Sequence, residues 1–340
     1  MSYERRSTKP LSTWQLPKEH VGAVLKDPWY RCVSSTTSAM IRSTFEYFLG
    51  LGYQPVLAPV TTGAISSPMG LGSDSLPVST QILGEETYLA DSMQFQLEAL
   101  LRLHDRGVFY IMPTFRGEEH DQRHLNQFFH AEAELRGCLA DVQAIVSGYV
   151  MALTRALLND ELRPLIMEAA GSVDHLDSLL AVEEIPVISY AEARRMLPTS
   201  RSWNPLPQGY SLTDAGEKEL VEAFGQAVWV ERPPVATVPF YQRSDDGETA
   251  LAADLLFART GEVAGCGERW VDADQVRTAL RAHAVSEEAY WWYLTMKSLT
   301  PLGTCGFGLG FERFMQWALK CPDIRDLQLF PRLKGQPTGI

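Results

Sequence analysis

The chain has 340 residues, 45% of them hydrophobic, and a formal net charge of −12. That suffices for one large domain or two modest ones, while the acidic balance argues against a broad nucleic-acid surface and leaves room only for local basic patches. Five scattered cysteines (Cys32, Cys138, Cys266, Cys305, Cys321) include no CxxC pair, which excludes a disulfide framework or zinc site and suits a reducing cytoplasm.

The polar residues 1–10 lack the apolar core of a signal peptide, and no apolar run approaches the roughly 20 residues that span a bilayer. The expectation is a soluble, cytoplasmic protein with no membrane partner. Residues 1–30 read as a polar arm ending in Asp27-Pro28-Trp29-Tyr30, with the main domain over 31–340. Met40, Ile41, Phe45, Phe48 and Leu49 recur at helical spacing and predict a helix over 34–51, stopped by Gly50 and Gly52. Two prolines make 53–59 an extended, edge-like segment. Residues 61–79, rich in Gly, Ser and Pro, predict a mobile loop over a site. A strand over 86–91, a helix over 94–104 with Leu97, Leu100 and Leu101 inward, and a strand over 108–113 follow. Residues 141–158 form an amphipathic helix expected on the back of a sheet. Residues 160–235 read as helical pieces with Pro-rich connections, a small insertion. An apolar strand over 250–257 is interrupted by Asp254, and a turn at Arg259-Thr260-Gly261 leads into 262–269. A helix over 287–297 precedes Gly306-Phe307-Gly308-Leu309-Gly310-Phe311-Glu312-Arg313. The third glycine there is misplaced for a dinucleotide fingerprint; glycines alternating with large apolar residues instead predict a strand whose backbone something flat approaches, running into a helix over 311–319.

Three places concentrate charge. In Phe115-Arg116-Gly117-Glu118 and Glu132-Ala133-Glu134, residues two apart share a face of an antiparallel strand pair, so Arg116 projects with Glu118 and Glu132 with Glu134. Such a face is either a solvated hairpin or a surface that meets phosphates and ammonium or amide groups. Asp254 and Glu262 face each other across a turn, and either pair with a nearby Arg or flank a cation, for which magnesium is the natural candidate. Arg313 adds positive charge to the positive end of a helix, an arrangement that an anion such as phosphate relieves.

Together these blocks resemble the motifs of class II aminoacyl-tRNA synthetases, in particular the catalytic core of the asparaginyl and aspartyl branch. Residues 34–59 look like motif 1, Phe115 through Glu134 like motif 2 and Gly306 through Arg313 like motif 3. Ser92-Met93-Gln94-Phe95-Gln96-Leu97-Glu98 is similar to the Ser-x-Gln-Leu-x-Leu-Glu run of the asparaginyl branch, with Leu97 where aspartyl enzymes have lysine. Ile324-Arg325-Asp326 and Phe330-Pro331-Arg332 match its C-terminal signature. The resemblance implies an α+β fold, an antiparallel sheet flanked by helices, dimerised through the first helix and its proline strand. It implies that ATP and Mg2+ are used. Arg116 meets the α-phosphate and Glu118 the adenine amino group; Phe128 and Arg313 stack on the two faces of adenine, with Gly310 alongside, and Arg313 also steadies the γ-phosphate. Arg123 and His124 close over the triphosphate, and Asp254 and Glu262 hold magnesium. Ser92, Gln94, Glu132, Glu134, Gly265 and Arg269 line the amino-acid pocket, and Arg116, Arg313 and Glu262 carry catalysis.

The departures refine this. The branch carries an N-terminal β-barrel that reads the anticodon, and here the catalytic region starts almost at once. The acidic residue usual after motif 1 is not evident unless Asp74 replaces it. Trp270 stands where the asparaginyl branch has Glu, and Thr304-Cys305 replaces a His-containing pair. Archaeal-type asparagine synthetases resemble such a core without an anticodon domain. The expectation is therefore AMP-forming activation of the carboxylate of aspartate or a close analogue, then amide formation with ammonia or a small amine, without tRNA. Alternatives are dehydration of an adenylated carboxamide to a nitrile, aminoacyl transfer to a carrier protein or tRNA, and a non-catalytic amino-acid sensor.

Overall fold

A computed structural model describes residues 12–67, 75–197, 199–206 and 209–337. Its centre is an eight-stranded sheet in the order Gln54–Pro55, Val108–Phe115, Gln127–Leu135, Cys305–Gly310, Gly261–Glu268, Ala252–Phe257, Ala227–Glu231, Val187–Ser189. The two outermost pairings are parallel and the interior is antiparallel, so the α+β expectation holds with mixed edges. The proline segment after the first long helix lies at an edge, where missing ladder donors cost least.

The first long helix runs over Pro28–Gly50 and begins well before residue 34. Asp27 is its N-cap, with Oδ1 accepting from Trp29 N at 2.9 Å, and Pro28 occupies the first turn; both are start signals that apolar spacing alone does not register. Within the segment expected as an arm, residues Pro17–Lys26 form another helix, and Trp14, Trp29 and Tyr30 enter the main core. The long helix and Leu139–Leu157 cover one sheet face, joined where Tyr47 stacks on Tyr149 at 5.6 Å and Thr44 Oγ1 meets Tyr149 Oη at 2.6 Å. Phe48 reaches the sheet through Phe109 at 5.0 Å and Phe307 at 5.9 Å. Each such buried aromatic contributes about 1.5–3 kcal/mol of hydrophobic stabilisation, so this face is the fixed base for whatever the other face carries.

Residues 160–235 are integrated with this core. They supply two strands of the sheet, and the helix Asp174–Leu180 buries Leu176 and Leu179 in the main cluster. In the stretch expected as a mobile loop, Thr61–Thr62 and Val78–Ile82 both pair with Glu85–Leu89 in a small separate sheet. Asp74, the candidate for the missing acid, lies outside the described residues. The helix expected over 287–297 is a 3-10 turn Glu288–Tyr290 followed by Trp291–Leu299. Among the described residues no helix is long and apolar enough to cross a membrane.

Candidate active site

Alternation along Gln127–Leu135 sends Ala131, Ala133 and Leu135 into the core and puts Phe128, His130, Glu132 and Glu134 on the opposite face. Beside that strand, Cys305–Gly310 pairs Gly306 with Glu134, Gly308 with Glu132 and Gly310 with His130. A Cβ at Gly308 would come to 3.0 Å from Glu132 Oε1, and one at Gly306 would collide with the Glu134 carboxylate. The glycine alternation therefore makes room for acidic side chains of the neighbouring strand as well as leaving a bare floor.

A cavity of about 310 Å³ opens over this floor. Arg116, Glu118, Arg123, His124, Phe128, Glu262, Gly310 and Arg313 line it, together with His130, Gly308 and Glu312. Arg116 and Arg123 of one hairpin thus converge on one space with Arg313 from a distant part of the chain. Arg116 and Glu118 reach it from beyond the strand, which ends at Phe115; Arg116 N bonds to Asn126 O at 2.9 Å and Gly117 N to Leu76 O at 2.8 Å. The expectation that the two sit on one regular strand is corrected, because Arg116 N still follows the ladder but Gly117 N leaves it for Leu76 O. The Arg116 guanidinium lies 5.8 Å from the centre of the Phe128 ring. Its Nε, Glu118 Oε2 and Arg123 Nε are buried and unpartnered among the described residues, an arrangement that costs stability unless a ligand completes it.

Arg313 donates from Nε to Arg123 O at 2.8 Å, and from a terminal nitrogen to Thr260 O and Glu262 O at 3.2 Å each. These carbonyls relieve part of the charge that the sequence assigned wholly to an anion. Burial, and then the neighbouring Arg123, still pushes the Arg313 guanidinium below its usual range. Arg123 itself is held by Asp214 and by Glu217 at 2.7 Å, both from the helix Asp214–Phe224.

The acidic pair also converges. A Cβ at Gly265 would lie 3.0 Å from Glu262 Oε1 and 3.4 Å from Asp254 Oδ1, and among the described residues neither carboxylate forms an ion pair. Burial, then the charges of Glu262 and Glu217, raise the Asp254 carboxyl well above its usual range. Hard oxygen donors in need of a cation fit magnesium. Among the described residues no three His, Cys, Asp or Glu side chains group to hold a metal ion.

The residues expected for the amino acid form a second, deeper group outside the cavity lining. Glu132 accepts from Ser92 Oγ at 2.7 Å and from Tyr110 Oη, and its other oxygen lies 3.1 Å from His130 Nδ1. Burial pushes Glu132 up, but His130, Tyr110 and Ser92 outweigh it and leave the carboxyl below its usual range. Gln94 N bonds to Ser92 Oγ at 3.1 Å. Arg269 is buried against Glu134 at 3.3 Å, Gln242 Oε1 at 3.1 Å and the Tyr241 ring, and Thr304 Oγ1 donates to Glu134 at 2.6 Å. Arg269 therefore faces a protein carboxylate, with its fork already occupied, and Gly265 sits with the Asp254–Glu262 pair. Trp270 turns away, its Nε1 donating to Phe240 O at 2.8 Å.

Sequence reasoning passed over His130, Glu312 and the fully buried Lys297–Glu98 pair. The period-two face carrying Phe128 and Glu132 already contained His130. Glu98 closes the run compared with the asparaginyl branch, but nothing local marks Lys297 or pairs the two, which come from helices far apart in the chain.

A family model described as "tRNA synthetases class II (D, K and N)" matches residues 21–334. The asparagine–tRNA ligase of Mycoplasma genitalium is 28% identical over 323 residues, which is 90% of this chain and 70% of that protein. Among solved structures, the asparaginyl-tRNA synthetase of Pyrococcus horikoshii complexed with asparaginyl-adenylate superposes with a TM-score of 0.86 at 25% identity, covering 96% of this chain and 74% of that one. The asparaginyl-tRNA synthetase of Entamoeba histolytica shares the fold with a TM-score of 0.82 at 19% identity, over 99% of this chain and 74% of its own. The chain belongs to the class II tRNA synthetase family, as a catalytic core of the asparaginyl and aspartyl branch.

Proposed function

We propose that the cavity binds ATP and that the deeper group binds aspartate or a close analogue, whose carboxylate is activated as an adenylate and then converted to an amide by ammonia or a small amine. The observation that carries this is the convergence of Arg116, Arg123 and Arg313 on one cavity beside Phe128, with buried Arg116 Nε and Glu118 Oε2 unpartnered among the described residues. Phe128 takes one face of adenine and Arg313 the other, Glu118 accepts from the adenine amino group, and Gly310 keeps the floor clear. Arg116 meets the α-phosphate, while Arg123 and His124 close over the triphosphate. Magnesium held by Asp254 and Glu262 supplies neutralisation of phosphate charge. Ser92, Gln94 and Glu132 take the α-ammonium group, and Arg269, Glu134 and Thr304 bound the side-chain end near Gly265.

The substrate carboxylate attacks the α-phosphorus and pyrophosphate leaves. Arg116 offsets the developing charge, and positioning contributes the rest. Arg116→Ala is expected to lower ATP–pyrophosphate exchange by about 10²–10³-fold with unchanged circular dichroism. Near-normal exchange in that variant would remove the mechanism. The named relatives favour a second reading, transfer of the activated amino acid to tRNA. Exchange assays over an amino-acid panel, followed by product analysis with ammonia and with tRNA, separate the two. The exposed stripe Ile41, Phe45 and Leu49 on the long helix, with Leu57 beyond it, supports docking of a second copy of the chain there.

A further inference from the structure

His130 is the titratable residue at the centre of the site to which the adenylation scheme gives no task. The site face of Gln127–Leu135 presents, in order, Phe128, His130, Glu132 and Glu134, spaced about 6.7 Å apart by strand geometry. In the proposed function adenine lies at Phe128 and the amino acid at Glu132 and Glu134. The bond that joins nucleotide to amino acid must therefore pass His130, which lines the cavity and whose side chain is only 15% exposed. Its Nδ1 is 3.1 Å from Glu132 Oε1 and 3.4 Å from Thr114 Oγ1, and the Phe128 ring meets the imidazole edge-on at 4.9 Å. With Nδ1–H donating to a buried carboxylate, the lone pair falls on Nε2, which has no hydrogen-bond partner among the described residues. An oriented imidazole with a free lone pair, backed by a carboxylate and open to a reaction cavity, is the arrangement a general base requires.

We propose that His130, oriented by Glu132, is the general base of the second half-reaction and accepts the proton shed by the incoming amine. The inference rests on the adenylation reading above. The amine lone pair forms a C–N bond with the adenylate carbonyl carbon, and the bond from that carbon to the phosphate oxygen breaks, its electron pair leaving with AMP. The nitrogen's surplus proton passes to His130 Nε2. Glu132 and Glu312 lie beside His130, and Arg116, Arg123 and Arg313 line the same cavity.

The test separates the half-reactions. For wild type, His130→Gln and His130→Asn, ATP–pyrophosphate exchange is measured with the activated amino acid, and amide formation from ammonia is measured in a single turnover of enzyme-bound adenylate. Exchange is expected to stay within about threefold, while amide formation falls by about 10²–10⁴-fold and recovers in part when imidazole is added to His130→Ala. Equal amide formation in wild type and variants overturns the inference and leaves adenylation standing. A parallel fall in both half-reactions also overturns it, since that is the signature of a packing role. Exchange without any ammonia-derived product in wild type overturns the amide-forming reading together with this one.

Discussion

Glu98 and Lys297 are both fully buried as an ion pair, and the Glu98 charge also acts on Glu134 and Arg269. Tyr293 Oη donates to Glu98 at 2.7 Å, and Lys297 Nζ also donates to Trp270 O at 2.5 Å. Losing one partner leaves the other charge stranded in a medium that solvates it poorly. Lys297→Met is therefore expected to cost about 3–5 kcal/mol in urea unfolding, with much of that loss recovered in the Glu98→Gln, Lys297→Met double variant. Asp326 gives a prediction of opposite character. It accepts from Ser12 Oγ at 3.1 Å, its other oxygen is buried without a partner among the described residues, and burial pushes its carboxyl up to about 6. A folded-state value above the ordinary 3.8 means that the fold favours the protonated acid. That contribution is complete below the unfolded value and is lost as pH rises through about 6. Asp326→Asn should raise the melting temperature relative to wild type at pH 7, and the difference should shrink toward zero near pH 4. A constant difference would place the effect elsewhere. Residues such as Glu132 and Glu134 were legible from sequence because strand alternation is local; Glu98 and Lys297 were not, because only packing brings their helices together.

At the scale of elements, one carboxylate ties the segment after the first strand of the small sheet to the site. Asp91 accepts from Ser66 N at 2.8 Å, Ser66 Oγ at 3.0 Å, Ser67 N at 2.9 Å and Ser92 N at 3.0 Å. It therefore ties residues 66–67 to Ser92, which in turn donates to Glu132. Asp91→Ala leaves several buried donors unmet, each costing about 1–3 kcal/mol. The expected result is faster hydrogen exchange over residues 61–67 and a raised amino-acid KM, with slower changes in the core helices. Unaltered exchange over 61–67 would show that this segment holds without that tie. Sequence reading took that stretch as a loop because Gly, Ser and Pro dominate it, and composition does not register a side chain that satisfies backbone donors from elsewhere. The helix over Pro28–Gly50 shows the converse. Its apolar spacing was visible from residue 34, whereas its true start lay in the capping signal of Asp27 and Pro28.

At the scale of the molecule, the long helix offers Ile41, Phe45 and Leu49 on one exposed stripe, and Leu57 on the adjoining segment is 87% exposed. Contiguous apolar exposure of that kind supports the proposed docking of a second copy, which can meet it symmetrically. Replacing Ile41 and Phe45 with Lys is expected to convert a dimer to a monomer in light scattering. A wild-type chain that is monomeric at all concentrations would overturn the dimer itself. The residue sequence alone determined the family, the strand–loop–strand and glycine-strand blocks, and the charged residues that line the cavity, because these follow from short-range alternation and the spacing of motifs. Only the tertiary structure decided that Arg116, Arg123 and Arg313 share one cavity, that Arg269 is already engaged by Glu134, and that His130 lines that cavity against Glu132. Those facts depend on strand register and on which distant helices pack together, and burial energetics settle both across the whole chain at once.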